Sequence, residues 1–272
     1  MVRIAVGYDG SAASRAALEW AASRALRGPA HIDLVTVTGM ITSNVTKVDR
    51  ELHDVERRIH DMAPGVLVES RRIDGSMPAT LLEDTRTADI LAVGIRRGQP
   101  VRAALTGWMP LRLAARAKTP VCLVPDDWTF TEHAVTVGVD DDPSSDRALD
   151  LAAAEAASAG AALRVTHAWT MPTPQLDGAV ALLASPLQVK EEHRKVLRDA
   201  VRHVAARYPQ LVVEEALVAD NPSSALLQRA PRSSLLVIGT HGRGLVTGGI
   251  LGSVAQDVLG RTDCPVLIVP AT

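Results

Sequence analysis

The chain has 272 residues, of which 47% are apolar and 22% charged, the balance of a globular protein long enough for one large or two ordinary domains. Its formal net charge of −2 excludes a general attraction to nucleic acid or anionic membranes, and its 3% of aromatic residues argues against a stacking surface for single strands. No apolar run approaches the roughly 18 residues of a membrane-spanning helix.

The predicted elements alternate between strands and helices along the whole chain. In the first half we predict strands at 3–8, 31–38, 65–72, 90–94 and 120–124, with helices at 12–27, 47–61, 78–87 and 105–117. In the second half we predict strands at 134–139, 162–169, 211–218, 235–238 and 265–269, with helices at 144–158, 187–207, 222–230 and 252–260. This alternation predicts a doubly wound α/β fold, in which ligands bind outside the carboxyl ends of parallel strands.

The N-terminus and the cysteines indicate a compartment. Because a strand begins at about Arg3, we expect no signal peptide. Cys122 and Cys264 lack metal-binding spacing and lie in strand-end contexts, so we expect buried thiols in a reducing environment. The simplest expectation is a cytoplasmic protein.

The two halves of the chain repeat one pattern. Residues 4–18 align with 135–149 at an offset of 131, which superposes two glycines, two aspartates and two serines: Gly7 on Gly138, Asp9 on Asp140 and Ser14 on Ser145. Further on, 90–94 aligns with 235–239, and 119–125 with 264–270, at an offset of 145. The repeat predicts tandem domains at 1–126 and 133–272, with about 14 extra residues of the second copy placed in 170–186.

A glycine-rich segment follows the predicted strand 235–238. It reads Gly239, two residues, Gly242, nine residues, then Gly252 and Ser253 at the start of a helix. Glycines let the backbone approach a ligand closely, and the free amides at a helix start favour an anion such as phosphate. The segment is neither a Walker A loop nor a dinucleotide fingerprint, because it lacks the Gly-Lys-Ser/Thr ending and the third glycine. The alternative is a flexible surface loop of small residues.

The repeat, the Gly-Val-Asp strand end, the glycine pattern and the closing segment 264–270 together resemble the universal stress protein family, in a tandem two-domain form. The resemblance implies two doubly wound domains, each with a five-stranded parallel sheet flanked by helices, with ATP at the strand ends and dimerisation through the last strand. We therefore expect the two halves to form a pseudo-dimer, and a homodimer of whole chains stays open. The prolines that bound both last strands would discourage continued pairing.

By this resemblance, the second half holds an adenine nucleotide. Asp140 would accept a hydrogen bond from the adenine amine, Ala168 would line the base pocket, and Ser253 would face the phosphates. The alternative roles are a helix cap or Asx turn for Asp140, a core alanine and a simple helix-start residue. His241 could likewise be a plain loop histidine. The candidate binding residues are Gly138, Val139, Asp140, Ala168, Ile238, Gly239, His241, Gly242, Arg243, Gly252, Ser253, Val254 and Ala255.

Two departures from the family pattern affect the ligand. Three carboxylates at 140–142 would repel a triphosphate unless Mg²⁺ intervened, or they are solvated acids favoured by a helix dipole; we prefer the second reading and name no metal ligand. In the first half, Arg97 replaces the second glycine and Trp108 replaces the serine, which removes a hydroxyl and crowds the phosphate position. We expect the first half not to bind ATP in the family manner.

The sequence contains no recognisable catalytic constellation and no His/Cys metal cluster. We therefore expect an ATP-binding stress-response regulatory protein, with at most slow hydrolysis or self-phosphorylation at Ser253. The alternative is a nucleotide-independent interaction module that acts through edge-strand dimerisation. A ligase or adenylyl transferase would need a further substrate domain.

Overall fold

The computed structural model describes residues 1–39, 45–96, 109–171, 185–240 and 251–271. The elements of the first half are β1 (Val2–Gly7), α1 (Ala12–Ala25), β2 (Ala30–Thr38), α2 (Val45–Met62), β3 (Leu67–Asp74), α3 (Ala79–Asp84), β4 (Ile90–Ile95), α4 (Met109–Arg116) and β5 (Val121–Pro125). Those of the second half are β6 (Ala134–Val139), α5 (Pro143–Ala159), β7 (Leu163–Trp169), α6 (Pro186–Arg207), β8 (Val213–Ala219), α7 (Pro222–Leu227), a 3₁₀ turn (Ala230–Arg232), β9 (Ser233–Gly239), α8 (Ser253–Leu259) and β10 (Val266–Val269).

One ten-stranded sheet runs through the described chain, in the order β3-β2-β1-β4-β5-β10-β9-β6-β7-β8. Within each half the five strands are parallel, which confirms the predicted fold class. The halves meet where β5 and β10 pair antiparallel, with Cys122 opposite Leu267. The bounding prolines do not prevent this pairing, which runs over three residue pairs.

Each face of the sheet carries one apolar core, and each core contains residues from both halves. Ile32 and Leu34 pack on the same side as Leu163 of the second half. Leu91 and Leu236 belong to the core on the opposite face. Because parallel strands are covered on both faces, they read as continuous apolar runs in the sequence. Burial of these strands therefore fixes the positions of their carboxyl ends.

The predicted place of the extra residues of the second half, 170–186, lies mostly outside the described residues, because 172–184 are not described. Helix α6 begins at Pro186, at the end of that segment. The location of the insertion therefore stays a prediction.

Helix α7 ends earlier than predicted, at Leu227 rather than at residue 230. Pro231 disfavours helical backbone at the residue before it and has no amide hydrogen, so the chain turns into the short 3₁₀ segment instead. The predicted start of α4 at residue 105 lies outside the described residues. Within the described ranges, no helix has the length and apolar character needed to cross a membrane. Cys122 and Cys264 are free and buried, as expected.

Candidate functional site

The second half closes a cavity at the carboxyl edge of its sheet. Strands β6, β7 and β9 are neighbours, with Gly138 opposite Thr166 on one side and opposite Ile238 on the other. A β-carbon at Gly138 would lie 3.2 Å from Cδ1 of Leu226 on α7. This contact is tighter than most, so the sequence has glycine where the helix packs over the strand end.

The cavity has a volume of about 320 Å³, within the usual range for a small-molecule site. Ten of the thirteen candidate residues, drawn from four separate segments of the chain, line it: Gly138, Val139, Asp140, Ala168, Ile238, Gly239, Gly252, Ser253, Val254 and Ala255. The other three, His241, Gly242 and Arg243, lie outside the described residues. The structure thus brings together every candidate residue that it describes.

Five more residues line the same cavity and were missed by the sequence reasoning: Ser145, Thr166, Pro222, Leu226 and Thr240. The repeat contained a signal for Ser145, because it superposes on Ser14. Thr166 could have been found from Ala168, since residues two apart on a strand share a face. Thr240 lies within the glycine-rich segment that follows residue 238, whereas nothing in the local sequence distinguishes Pro222 and Leu226.

Thr166 provides a buried hydroxyl with no protein partner among the described residues. The residue is 2% exposed, and its Oγ1 atom has no hydrogen-bond partner among the described residues. Leaving a buried hydroxyl unsatisfied costs about 1–3 kcal/mol. Thr166 thus combines a place in the cavity lining with a buried hydroxyl that lacks a described partner.

Asp140 sits at the rim with its backbone fixed by α5. Its amide donates to Oγ of Ser145 at 2.9 Å, and its Oδ1 accepts from the amide of Asp141 at 2.9 Å. The carbonyl of Asp142 accepts from the amide of Ser145 at 2.9 Å, so the acidic run begins the helix. These bonds agree with the preferred reading of acids placed at a helix start.

The other end of the cavity is the start of α8. Gly252 is the N-cap and has no side chain to occupy the first-turn amides, while Ser253 is exposed and Ala255 is buried. The cavity is therefore open at α8 and closed at Thr166 and Ile238. The change from a closed end to a solvent-exposed end suits a ligand with a flat apolar part inside and an anionic part at the rim.

A histidine pair lies behind the cavity, on the other face of the sheet. His167 is 1% exposed and donates from Nδ1 to the carbonyl of Val139 at 2.8 Å. Its Nε2 lies 2.8 Å from Nδ1 of His193 on α6, and the His193 ring stacks on Trp169 at 5.5 Å. The pair couples the strand end at Val139 to helix α6.

A corresponding cavity exists in the first half, with a volume of about 520 Å³. Its lining differs at four positions equivalent to residues of the second-half cavity. Val35 replaces Thr166, and Val37 replaces Ala168. At the start of the last helix, Met109 and Pro110 replace Val254 and Ala255. Proline has no amide hydrogen, so the start of α4 lacks one donor that α8 has. Trp108 lies outside the described residues. These differences add to the expectation that the first half does not bind ATP in the family manner.

Asp9 and Gly94 keep their places in the first-half cavity. Burial works to raise the pKa of Asp9, but hydrogen bonds from Ser11 and Ser14 outweigh it and hold the pKa below its ordinary value. A β-carbon at Gly94 would lie 1.9 Å from the carbonyl oxygen of Ala13, so only glycine fits where β4 meets α1. The strand-end geometry is thus common to both halves, although the lining is not.

One cluster of metal-ligand type occurs elsewhere in the described residues. His31, Asp33 and Glu69 bring ligand atoms within 4.8 Å of one another, which sequence spacing did not reveal. Asp33 is already paired with Arg3, at 2.5 Å, and with Arg71, at 3.1 Å. Two guanidinium groups compete with a cation for this carboxylate, so the cluster is an ion-pair network around one buried carboxylate.

A family model described as the universal stress protein family matches residues 1–125 and 133–270. The chain belongs to the universal stress protein family. The two matched segments correspond to the two halves of the sheet, so this universal stress protein has the tandem architecture.

Curated universal stress proteins match over nearly the whole chain. Universal stress protein Rv1996 of Mycobacterium tuberculosis is 27% identical over 303 aligned positions, covering 97% of this chain and 94% of the relative. A universal stress protein of Mycolicibacterium smegmatis is 29% identical, covering 98% and 96% of the two chains. The crystal structure of a universal stress protein from Archaeoglobus fulgidus superposes with a TM-score of 0.72 at 19% identity, covering 98% and 96%, which supports the fold.

Proposed function

We propose that the second half binds an adenine nucleotide, ATP, and that the protein is a nucleotide-controlled regulator rather than an efficient enzyme. The single observation that carries this proposal is the cavity at the carboxyl ends of β6, β7 and β9, which every described candidate residue lines. A nucleobase has the flat apolar faces and the polar edge that such a pocket accommodates. The expected compartment is the cytoplasm, which suits two free, buried thiols.

In this proposal the base lies against Ile238 and Ala168, and its polar edge reaches Thr166 and Asp140. The phosphates lie at the rim, where Ser253 and the amides of Val254 and Ala255 are available. Hydrogen bonds to charged groups contribute about 1.5–3 kcal/mol each. Three of these, with an apolar base pocket, are sufficient for micromolar affinity, about −8 kcal/mol.

Mg²⁺ is proposed only as a companion of the phosphates. The acids at 140–142 begin α5, and Asp140 accepts from a backbone amide, so we assign none of them to the ion. With no general base assigned at the rim, turnover is expected to be slow, and Ser253 is the hydroxyl nearest to the proposed phosphates.

The pairing of the two last strands with each other weakens the alternative of a nucleotide-independent interaction module. That alternative relies on the last strands as pairing edges, but β5 and β10 pair with each other within the chain. The outer strands of the sheet are β3 and β8. An edge-strand dimer would therefore have to use those strands.

Calorimetric titration of ATP into the whole protein tests the proposal. We expect one site per chain, with about tenfold weaker binding in Ser253→Ala. Ser185→Ala is the matched control, because Ser185 is the N-cap of α6 and forms no side-chain cap hydrogen bond. Two sites per chain would contradict the assignment of the first half. A protein free of carried-over nucleotide that binds no ATP would contradict the proposal as a whole.

A further inference from the structure

An ion pair links the two halves beneath the sheet. Arg24 lies on α1 and Glu155 on α5. The Arg24 Nε atom lies 2.8 Å and 2.9 Å from the two carboxylate oxygens of Glu155, and an Nη2 contact to Oε1 completes a bidentate geometry. The side chains are 13% and 3% exposed, so the pair is largely removed from water.

Arg24 and Glu155 occupy equivalent positions of the two halves. Their separation of 131 is the offset that superposes Gly7 on Gly138. The strand pairing obeys the same rule, because Cys122 faces Leu267 and their separation of 145 is the offset of the closing segments. A pseudo-twofold axis therefore passes between β5 and β10, and equivalent residues meet across it. In a true twofold dimer, such residues would contact their own copies.

Arg24 and Glu155 therefore carry opposite charges at equivalent positions. In a dimer of two identical halves, the charges at these positions would be the same. If two first halves paired in this way, Arg24 would face a second Arg24, and two second halves would bring Glu155 against Glu155. Removing one partner of a buried ion pair already destabilises strongly, and replacing it with a like charge adds repulsion. Like-charge contacts of this kind are a known way of rejecting a wrong partner.

We propose that Arg24 and Glu155 specify pairing of a first half with a second half and reject pairing of like halves. A second copy of this chain can then engage this interface only by exchanging halves, so that Arg24 of each chain meets Glu155 of the other. The inference concerns the interface alone and is independent of nucleotide binding.

Two charge reversals in the full-length chain test this inference. In Arg24→Glu both positions are acidic, and in Glu155→Arg both are basic, so each chain alone has a repelling interface. We expect a lower midpoint of urea unfolding for each. Arg24→Glu/Glu155→Arg in one chain restores opposite charges and is expected to recover most of the loss. The control is Glu19→Arg, which makes the same charge change at an exposed position of α1.

The decisive measurement is co-refolding of the two single-reversal chains, carrying different tags, followed by native mass spectrometry. Glutamate at 24 of one chain then complements arginine at 155 of the other, so we expect a species with one chain of each kind. It should exceed the mixed species formed by differently tagged wild-type chains. A single-reversal chain that cannot fold alone is still informative, because the mixture supplies its partner. No excess of the mixed species, or a Glu155→Arg chain as stable as Glu19→Arg, would overturn the inference.

Discussion

Thr166 lies directly opposite Gly138 in the parallel pairing of β7 with β6, and both residues line the second-half cavity. The hydroxyl of Thr166 has no hydrogen-bond partner among the described residues, so it carries a desolvation cost that we expect a polar atom of the nucleotide to relieve. Thr166→Val keeps the shape and removes the hydroxyl. We expect opposite effects: the ATP-free protein becomes more stable, by up to about 1 kcal/mol, while ATP binds about tenfold more weakly.

These opposite signs separate a ligand contact from a structural role. Urea unfolding without nucleotide gives the first quantity, and calorimetric titration gives the second. Thr136→Val is the control, because the Thr136 hydroxyl is buried but lies 2.7 Å from Oγ of Ser233, so its loss should only destabilise. A Thr166→Val protein that loses stability and keeps its ATP affinity would show that the hydroxyl serves the fold.

The width of the base pocket gives a second prediction. Ala168 lies at the position that Val37 occupies in the first-half cavity. Ala168→Val adds two methyl groups where the base is proposed to lie, and even one methylene in a pocket changes binding by about 1–3 kcal/mol. We expect ATP affinity to fall at least tenfold with little change in the unfolding midpoint. The matched control, Val37→Ala, should leave ATP affinity unchanged, and equal affinity in Ala168→Val would exclude this position from the base pocket.

The sequence predicted those features that depend on local patterning. Apolar runs such as 235–238 are recognisable because strands covered on both faces cannot alternate. Because the two halves repeat one pattern, the elements predicted in one half also predicted those of the other. The doubly wound order predicted that the strand ends at Asp140 and Gly239 share one edge of the sheet. The individual cavity residues were named from the resemblance to the universal stress protein family.

The features that were missed arise from contacts between distant segments. Thr166 reads as an ordinary strand residue, and its burial depends on Gly138 and Ala216 of the neighbouring strands. His167 and His193 are separated by the long connection of the second half, so no spacing rule links them. The pairing of Arg24 with Glu155 requires the pseudo-twofold axis, which exists only once β5 and β10 meet.

The ion-pair network of the first half gives a prediction for acid. Burial works to raise the pKa of Asp33, but hydrogen bonds from Arg3 and Arg71 outweigh it and lower the pKa. The stability from this shift is present above the unfolded pKa, about 3.9, and is lost as the pH falls through the lower folded pKa. Asp33→Asn should cost about 1 kcal/mol at pH 7, the scale of a partly exposed ion pair, because Arg3 is 39% exposed and Arg71 keeps its pair with Asp84.

Urea unfolding at pH 7, 5 and 3 measures this contribution. The loss between pH 5 and pH 3 should be smaller in Asp33→Asn than in the wild type, because the variant lacks the titrating group. Asp61→Asn is the control, since Asp61 is an exposed carboxylate on α2. Parallel pH profiles for the wild type and Asp33→Asn would contradict the assigned role of Asp33.

The histidine pair gives a prediction at mildly acidic pH. Burial lowers the pKa of His193, and the charge of His167 lowers it further, against smaller opposing effects of Asp140 and Glu192. The folded protein therefore favours neutral His193, and its stability should fall as the pH drops below the unfolded pKa, about 6.5.

His193→Gln keeps a donor for Nε2 of His167 but cannot titrate. Between pH 7.5 and 5.5, the free energy of unfolding should decrease less in His193→Gln than in the wild type, whereas the exposed control His133→Gln should follow the wild type. A His193→Gln profile that falls as steeply as the wild type would assign the acid sensitivity to other groups.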